Sequence, residues 1–336
     1  MKAIKFFLGL FMFLLTLGLI AGAGGLYWAS KEIRKPGSFD SSIDIIIAPG
    51  TGVGGIAEQL QYAGAIDSPM LFRLAGRYTG QDSKLKAGEY EIPPGASILD
   101  ILNLFESGRT VQRTVTIREG LTNFEIHQLL AGMKDLRQVE PEMKPEGAYL
   151  PETYNYTREE SNADILSRME IAMQSAMDEL WSKRSPDLPF KSKEEALVLA
   201  SIVEKETGLP DERARVAGVF INRLKQGIAL QSDPTVIYAL TLGEHENEGQ
   251  GPLGRRLLKK DLEYDSPYNT YKNAGLPPGP IANPGRASLE AVLNPEKHDY
   301  LFFVADGSGG HVFARTLREH NINVAKWRSV RAQKSE

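Results

Sequence analysis

The run Ala196-Leu197-Val198-Leu199-Ala200-Ser201-Ile202-Val203 has no polar face and ends in Glu204-Lys205-Glu206-Thr207. A carboxylic acid at the mouth of an apolar helix is partly shielded from water, and shielding disfavours its charged form. Such a group can keep its proton near neutral pH and donate it, which is the work of a general acid. The plainer reading is a solvated end on a buried helix, and periodicity alone favours it. Nor does periodicity choose between the two acids, because residues two apart on a helix point in different directions. Glu204 shares a face with Leu197, Ala200 and Ser201, whereas Glu206 shares one with Leu199, Ile202 and Val203.

Other chemistries are narrowed by composition. The chain has no cysteine, which excludes disulfides, thiolate metal sites and a Cys nucleophile. Its five histidines show no clustered spacing, so no metal and no cofactor are expected. A formal net charge of -4, with Lys and Arg spread along the chain, offers no basic stripe for a nucleic acid. Gly50-Thr51-Gly52-Val53-Gly54-Gly55 matches a dinucleotide fingerprint by spacing. Pro49 interrupts the strand exit, however, and a helical stretch, Met70 to Ala75, stands where a second parallel strand should end in an acid. A turn is the expected reading.

The elements that must position the acids begin with an uncharged apolar run from Phe6 to Trp28, long enough to cross a bilayer at about 1.5 Å per residue. Lys2 and Lys5 precede it, and Tyr27 and Trp28 fall where an aromatic belt would lie. Ala21-Gly22-Ala23 fits a cleavage site, so a signal peptide is the alternative to an anchor. Lys31, Arg34 and Lys35 weaken the charge rule, but a short tail is easier to keep inside than to export. The body is expected to be extracytoplasmic.

Residues 31 to 41 read as a linker. The pattern Ile-x-x-Gly, five residues, Ile, three residues, Leu or Phe then occurs three times: Ile47, Gly50, Ile56, Leu60; Ile92, Gly95, Ile101, Phe105; Ile117, Gly120, Ile126, Leu130. Each copy predicts a short strand, a Gly turn and an amphipathic helix. Ser68-Pro69 marks a further helix start. A second unit begins after Gly108. Ser192 and Glu195 predict a capping box for a helix over 193–207 that stops at Gly208-Leu209-Pro210. A second helix runs from about Asp211 to Gln226, and Asp233-Pro234 starts a third, with Asp233 as its N-cap. Tyr300 to Ala305 and His311 to Arg315 predict a hairpin, followed by a last helix ending near Arg331. The class is mixed α+β.

Behind the acids stand Val219-Phe220-Ile221-Asn222-Arg223-Leu224, Leu230-Gln231-Ser232-Asp233-Pro234-Thr235-Val236-Ile237-Tyr238, Tyr268-Asn269-Thr270-Tyr271 and Gly275-Leu276-Pro277-Pro278-Gly279. With Ala200 to Thr207, these stretches resemble the MltG (YceG-like) family of endolytic murein transglycosylases. Glu146-Gly147-Ala148-Tyr149-Leu150-Pro151-Glu152-Thr153-Tyr154, Phe303-Val304-Ala305-Asp306-Gly307 and the N-terminal run extend the resemblance over nearly the whole chain. Leu150 stands where the family usually has an aromatic, and Glu152 where it has Asp, which bears on the lining of one cleft wall.

The resemblance implies an anchor over 1–30, a LysM-like subdomain over 42–108 and a catalytic domain over 109–332, with Glu204 as the catalytic residue. It also implies a lyase on peptidoglycan glycan strands at the inner membrane, facing the periplasm, and an association with peptidoglycan synthases of elongation or division complexes. Most glycosidases need two carboxylates. A lytic transglycosylase can work with one, protonating the glycosidic oxygen and then accepting the proton of the muramic acid C6 hydroxyl as a 1,6-anhydro ring closes. By side-chain type, Gln231, Asn222, Asn269 and Tyr271 suit sugar hydroxyls and acetamido groups, and Tyr154, Tyr238 and Tyr268 suit stacking on sugar rings. Glu206, Glu146 and Asp233 are secondary acidic candidates, and His311 is the histidine to test. The rival readings are a non-catalytic glycan-binding scaffold and a conventional hydrolase.

Overall fold

The computed structural model describes residues 2–244 and 253–333. By its internal contacts the chain divides into two compact units, Met1–Arg113 with Thr157–Glu159, and Thr114–Tyr156 with Glu160–Glu336.

In the first unit, α1 (Lys2–Glu32) contains the apolar run, and from Phe6 onward it is long and apolar enough to cross a membrane. The expected linker behind it is tied down. Ile33 lies in the unit's core, the Leu99 N–H donates to the Ile33 carbonyl at 3.0 Å, and the Gly37 N–H donates to the Gly95 carbonyl at 3.1 Å. Strand β1 (Ile43–Ile47) pairs antiparallel with β2 (Gly88–Ile92), and Ile45 stands opposite Tyr90. Around this ribbon pack α2 (Val53–Tyr62), α3 (Pro69–Thr79) and α4 (Ile98–Ser107). Ile45 and Ile47 alternate inward, as a half-buried strand requires, onto Leu60, Phe72, Tyr90, Ile101 and Phe105. The antiparallel pairing removes the parallel strands a dinucleotide site needs; Gly50 to Gly52 form a turn and Val53 to Gly55 the first turn of α2.

The second unit opens with β3 (Arg113–Thr116), which reaches it from the division and pairs with β4 (Thr153–Tyr156). Helix α5 (Asn123–Ala131) follows β3, so all three sequence repeats are strand, turn and helix. Gly50, Gly95 and Gly120 adopt φ of +83°, +68° and +77°, a region that penalises any Cβ. Ser97 with Asp100 and Thr122 with Glu125 cap the second and third repeat helices reciprocally.

Three longer helices come next, α6 (Asn162–Ser182), α7 (Lys193–Glu206) and α8 (Pro210–Gln226), and then the short α9 (Asp233–Thr241). A 3₁₀ turn at Lys259–Glu263, α10 (Arg286–Leu293), the hairpin β5 (Phe302–Ala305) with β6 (His311–Ala314), and α11 (Leu317–Gln333) complete the unit. Leu199, Ala200, Ile202 and Val203 of α7 pack with Val216, Ala217 and Phe220 of α8 and with Leu289, Val292 and Leu293 of α10. Each large apolar side chain so buried contributes on the order of 2 kcal/mol, and together they hold the end of α7 against its neighbours.

Two expected caps differ from what is observed. Ser192 accepts the Glu195 N–H at 3.2 Å, but the Glu195 carboxylate turns back to the Lys191 N–H, so only half of a capping box forms. The N-cap of α9 is Ser232, and Asp233 is the first helical residue. The Asp233 carboxylate instead accepts the Tyr271 hydroxyl.

Candidate active site

Glu204 occupies the last turn of α7, with its side chain 6% exposed. Oε2 accepts the Gly285 N–H at 2.9 Å, and Oε1 lies 3.5 Å from Nη2 of Arg213 on α8. Gly285 is the N-cap of α10 and has no side chain to satisfy that helix's first N–H groups. The Glu204 carboxylate accepts the N–H of that N-cap residue, at the positive end of the α10 dipole.

A second carboxylate shares the arrangement. Glu119, on the loop between β3 and α5, places Oε2 at 3.5 Å from the same Arg213 Nη2, which sets the two acids within about 7 Å of each other. Its side chain is 44% exposed. Partial burial and the charge of Glu204 push its pKa up, against the pull of Arg213. The loop is laced in place: the Gly120 N–H donates to the Asn283 carbonyl at 2.9 Å, and Lys205 Nζ donates to the Gly120 carbonyl at 3.0 Å. Gly285 also makes room for Glu119, since a Cβ there would lie 1.9 Å from Glu119 Oε1. Arg213, 9% exposed, has a buried Nε without a hydrogen-bond partner among the described residues.

Glu119, Arg213 and Gly285 escaped the reading of the sequence. One signal for Glu119 was present: the residue before the repeat glycine is Pro49 in the first copy, Pro94 in the second and Glu119 in the third. A proline suits a turn, so an acid in its place marks the copy that departs.

Of the residues expected at the site, Glu204 is in this cluster, and the others have the partners that follow. Glu206 points away from Glu204 and accepts the Ser232 hydroxyl at 2.5 Å. Burial, reinforced by Asp233, pushes its pKa up to about 7. Tyr271 donates to Asp233 at 2.6 Å, and Thr270 bonds both the Ser232 N–H and the Thr235 hydroxyl. Asn269 is buried and spends its amide on the carbonyls of Leu262 and Tyr264. Asn222 likewise donates to the carbonyls of His298 and Tyr300. Both asparagines hold backbone, leaving no amide hydrogen for a sugar. Tyr238 packs on Tyr268 with centroids 4.9 Å apart and bonds Glu146. The Glu146 carboxyl accepts the Asn123 N–H at 2.8 Å, and burial raises its pKa to about 7. Tyr154 is in the core, donating to the Leu150 carbonyl, and His311 is bonded to Glu212 at 2.7 Å. Gln231 is exposed at φ +52°, a strained conformation for a residue with a Cβ.

The two raised acids give a pH dependence of stability. An acid whose folded pKa is about 7, against an ordinary 4.5, stabilises fully below pH 4.5 and loses that contribution as pH rises through 7. Each loss is at most about 3 kcal/mol. Wild type is therefore expected to melt at a higher temperature relative to Glu206→Gln at pH 5.5 than at pH 8. Parallel melting curves at the two pH values would refute a protonated Glu206.

A model of the YceG-like family matches residues 45–326. The "Endolytic murein transglycosylase" of Bacillus subtilis (strain 168) is 33% identical over 93% of this chain and 92% of its own length. A protein of the same name from Streptococcus pneumoniae (strain D39) is 29% identical over 94% of this chain and 64% of its own. The crystal structure of a yceG-like protein from Listeria monocytogenes superposes with a TM-score of 0.52 at 33% identity, covering 84% of this chain and 98% of that one. The match spans both units and includes every residue of the Glu204 cluster, so the chain belongs to the YceG-like family.

Proposed function

We propose that the chain is a lytic transglycosylase of peptidoglycan with Glu204 as its catalytic residue. The observation that carries this reading is the Glu204 carboxyl, almost closed to solvent, held at the end of a buried helix by the Gly285 N–H and by an Arg213 that it shares with Glu119. The names of the relatives from Bacillus subtilis and Streptococcus pneumoniae point the same way. In the proposed reaction Glu204 gives its proton to the oxygen joining muramic acid C1 to glucosamine, and the C1–O bond breaks. The glucosamine leaves with a free hydroxyl. The Glu204 carboxylate then takes the proton of the muramic acid C6 hydroxyl as that oxygen bonds C1, so no water is consumed and the acid is regenerated.

We further propose that α1 anchors the chain with the body on the periplasmic face of the inner membrane, where strands under synthesis would be trimmed or terminated beside their synthases. The length and apolarity of α1 support the anchor. The order strand, helix, helix, strand in β1, α2, α3 and β2 supports a LysM-like glycan-holding module ahead of a catalytic domain.

Digestion of purified sacculi by the full-length protein, followed by mass spectrometry, tests the reaction. Anhydro-muramic acid ends are expected. Reducing ends would indicate a hydrolase, and retention on sacculi without soluble products would indicate a scaffold. Gln231 is proposed to contact the glycan, because its side chain is exposed on a backbone that the Thr270 carbonyl holds at positive φ. Gln231→Gly should leave stability unchanged or raised by up to about 1 kcal/mol, while cleavage slows. Wild-type rates in that variant would remove Gln231 from the site.

A further inference from the structure

Arg213 grips its two carboxylates differently from the arginines that fork onto a single carboxylate. Arg113 forks onto Glu89 at 2.6 and 3.0 Å, Arg255 onto Asp261 at 2.6 and 3.0 Å, and Arg215 onto Glu296 at 3.0 and 3.1 Å. Such paired short bonds are the ordinary outcome when a guanidinium meets one carboxylate. Arg213 is 9% exposed, a setting in which a fork should be strongest, yet a single nitrogen stands 3.5 Å from Glu119 and 3.5 Å from Glu204 while Nε goes unpaired. The cation is divided between the acids and committed to neither.

This matters because a forked carboxylate is a poor proton donor, and the proposed reaction begins with donation from Glu204. We propose that Glu119 is a positioning residue: by sharing Arg213 it prevents the guanidinium from closing on Glu204, and so keeps Glu204 able to carry the proton it transfers. The inference rests on the proposed lytic reaction at Glu204. The groups facing Glu204 are few. Glu119 comes from the β3–α5 loop, Arg213 from α8 and the Gly285 N–H from the start of α10. Lys205, its neighbour on α7, is directed to the Gly120 carbonyl, and Glu212, beside Arg213, is committed to His311. With Glu119 charged, Arg213 faces two negative groups. With Glu119 neutral, Glu204 is the one charged partner left to the arginine among the described residues. Burial first, and then the charge of Glu204, raises the pKa of Glu119.

The test is the pH profile of sacculus cleavage by full-length wild type, Glu119→Gln, Glu119→Asp and Arg213→Gln, with a melting curve for each. Glu119→Gln is expected to move the alkaline limb down by about one pH unit, lowering the rate about tenfold at pH 7.5 and restoring it at pH 5.5. Arg213→Gln should move the same limb up, and Glu119→Asp should keep it near wild type. A Glu119→Gln profile superposed on wild type overturns the inference, as does a loss equal at every pH. Failure of the lytic reading is distinct: wild type would then give no anhydro ends.

Discussion

Glu204→Gln is expected to cut the rate of sacculus digestion at least about 10²- to 10⁴-fold while the protein stays folded. The amide keeps the size of the side chain and an oxygen to accept the Gly285 N–H, and its NH₂ can face Glu119 where the carboxylate faced Arg213. Arg213 retains Glu119 as a partner, so no buried charge is left without a counterion. What the amide cannot do is give a proton and take one back. Product analysis should therefore show intact sacculi still bound by the variant, with a melting temperature near that of wild type. Near-normal release of anhydro products would move the chemistry to another residue, and Glu206 and Glu146, both carrying protons near neutral pH, would be the next to replace.

Gly285→Ala is expected to lower cleavage about 10²-fold with little change in melting temperature. The backbone at 285 has φ -73° and ψ 166°, which alanine adopts without strain. The added methyl instead meets Glu119, whose carboxyl atoms lie 1.9 and 2.4 Å from where it would sit. Because that is the far end of a flexible and half-exposed side chain, Glu119 swings aside and the fold is spared. The loss is catalytic: Glu119 leaves Arg213, and the N–H that holds Glu204 is disturbed at a distance scale where an ångström can cost two orders of magnitude in rate. The double variant with Glu119→Gln should lose little beyond Gly285→Ala alone, since both remove the same contact. Additive losses would refute this route of action.

Local pattern carried much of the fold. The repeat glycines, the unbroken apolar run of α7, the helix ending at Gln226 and the late hairpin are each decided by neighbours in sequence, and the structure has each of them. The site is of another kind. Glu119 and Arg213 are 94 residues apart, and no periodicity joins them. Asn222 and Asn269 show the converse difficulty. An amide suited to a sugar's acetamido group is equally suited to a backbone carbonyl, and only the packing shows that both are already spent. Glu204 and Glu206 were inseparable by helical phase, yet one meets the start of α10 and the other meets Ser232.

The way α1 enters the first unit has a mechanical meaning. The helix runs to Glu32 and the next residue, Ile33, is already core, so rod and body are joined without a swivel. A rotation imposed on the rod is therefore expected to turn the strand ribbon with it, as a shaft turns the bit fixed to it. Two or three glycines inserted after Glu32 would act as a universal joint, decoupling the orientation of the strand ribbon from whatever grips the shaft.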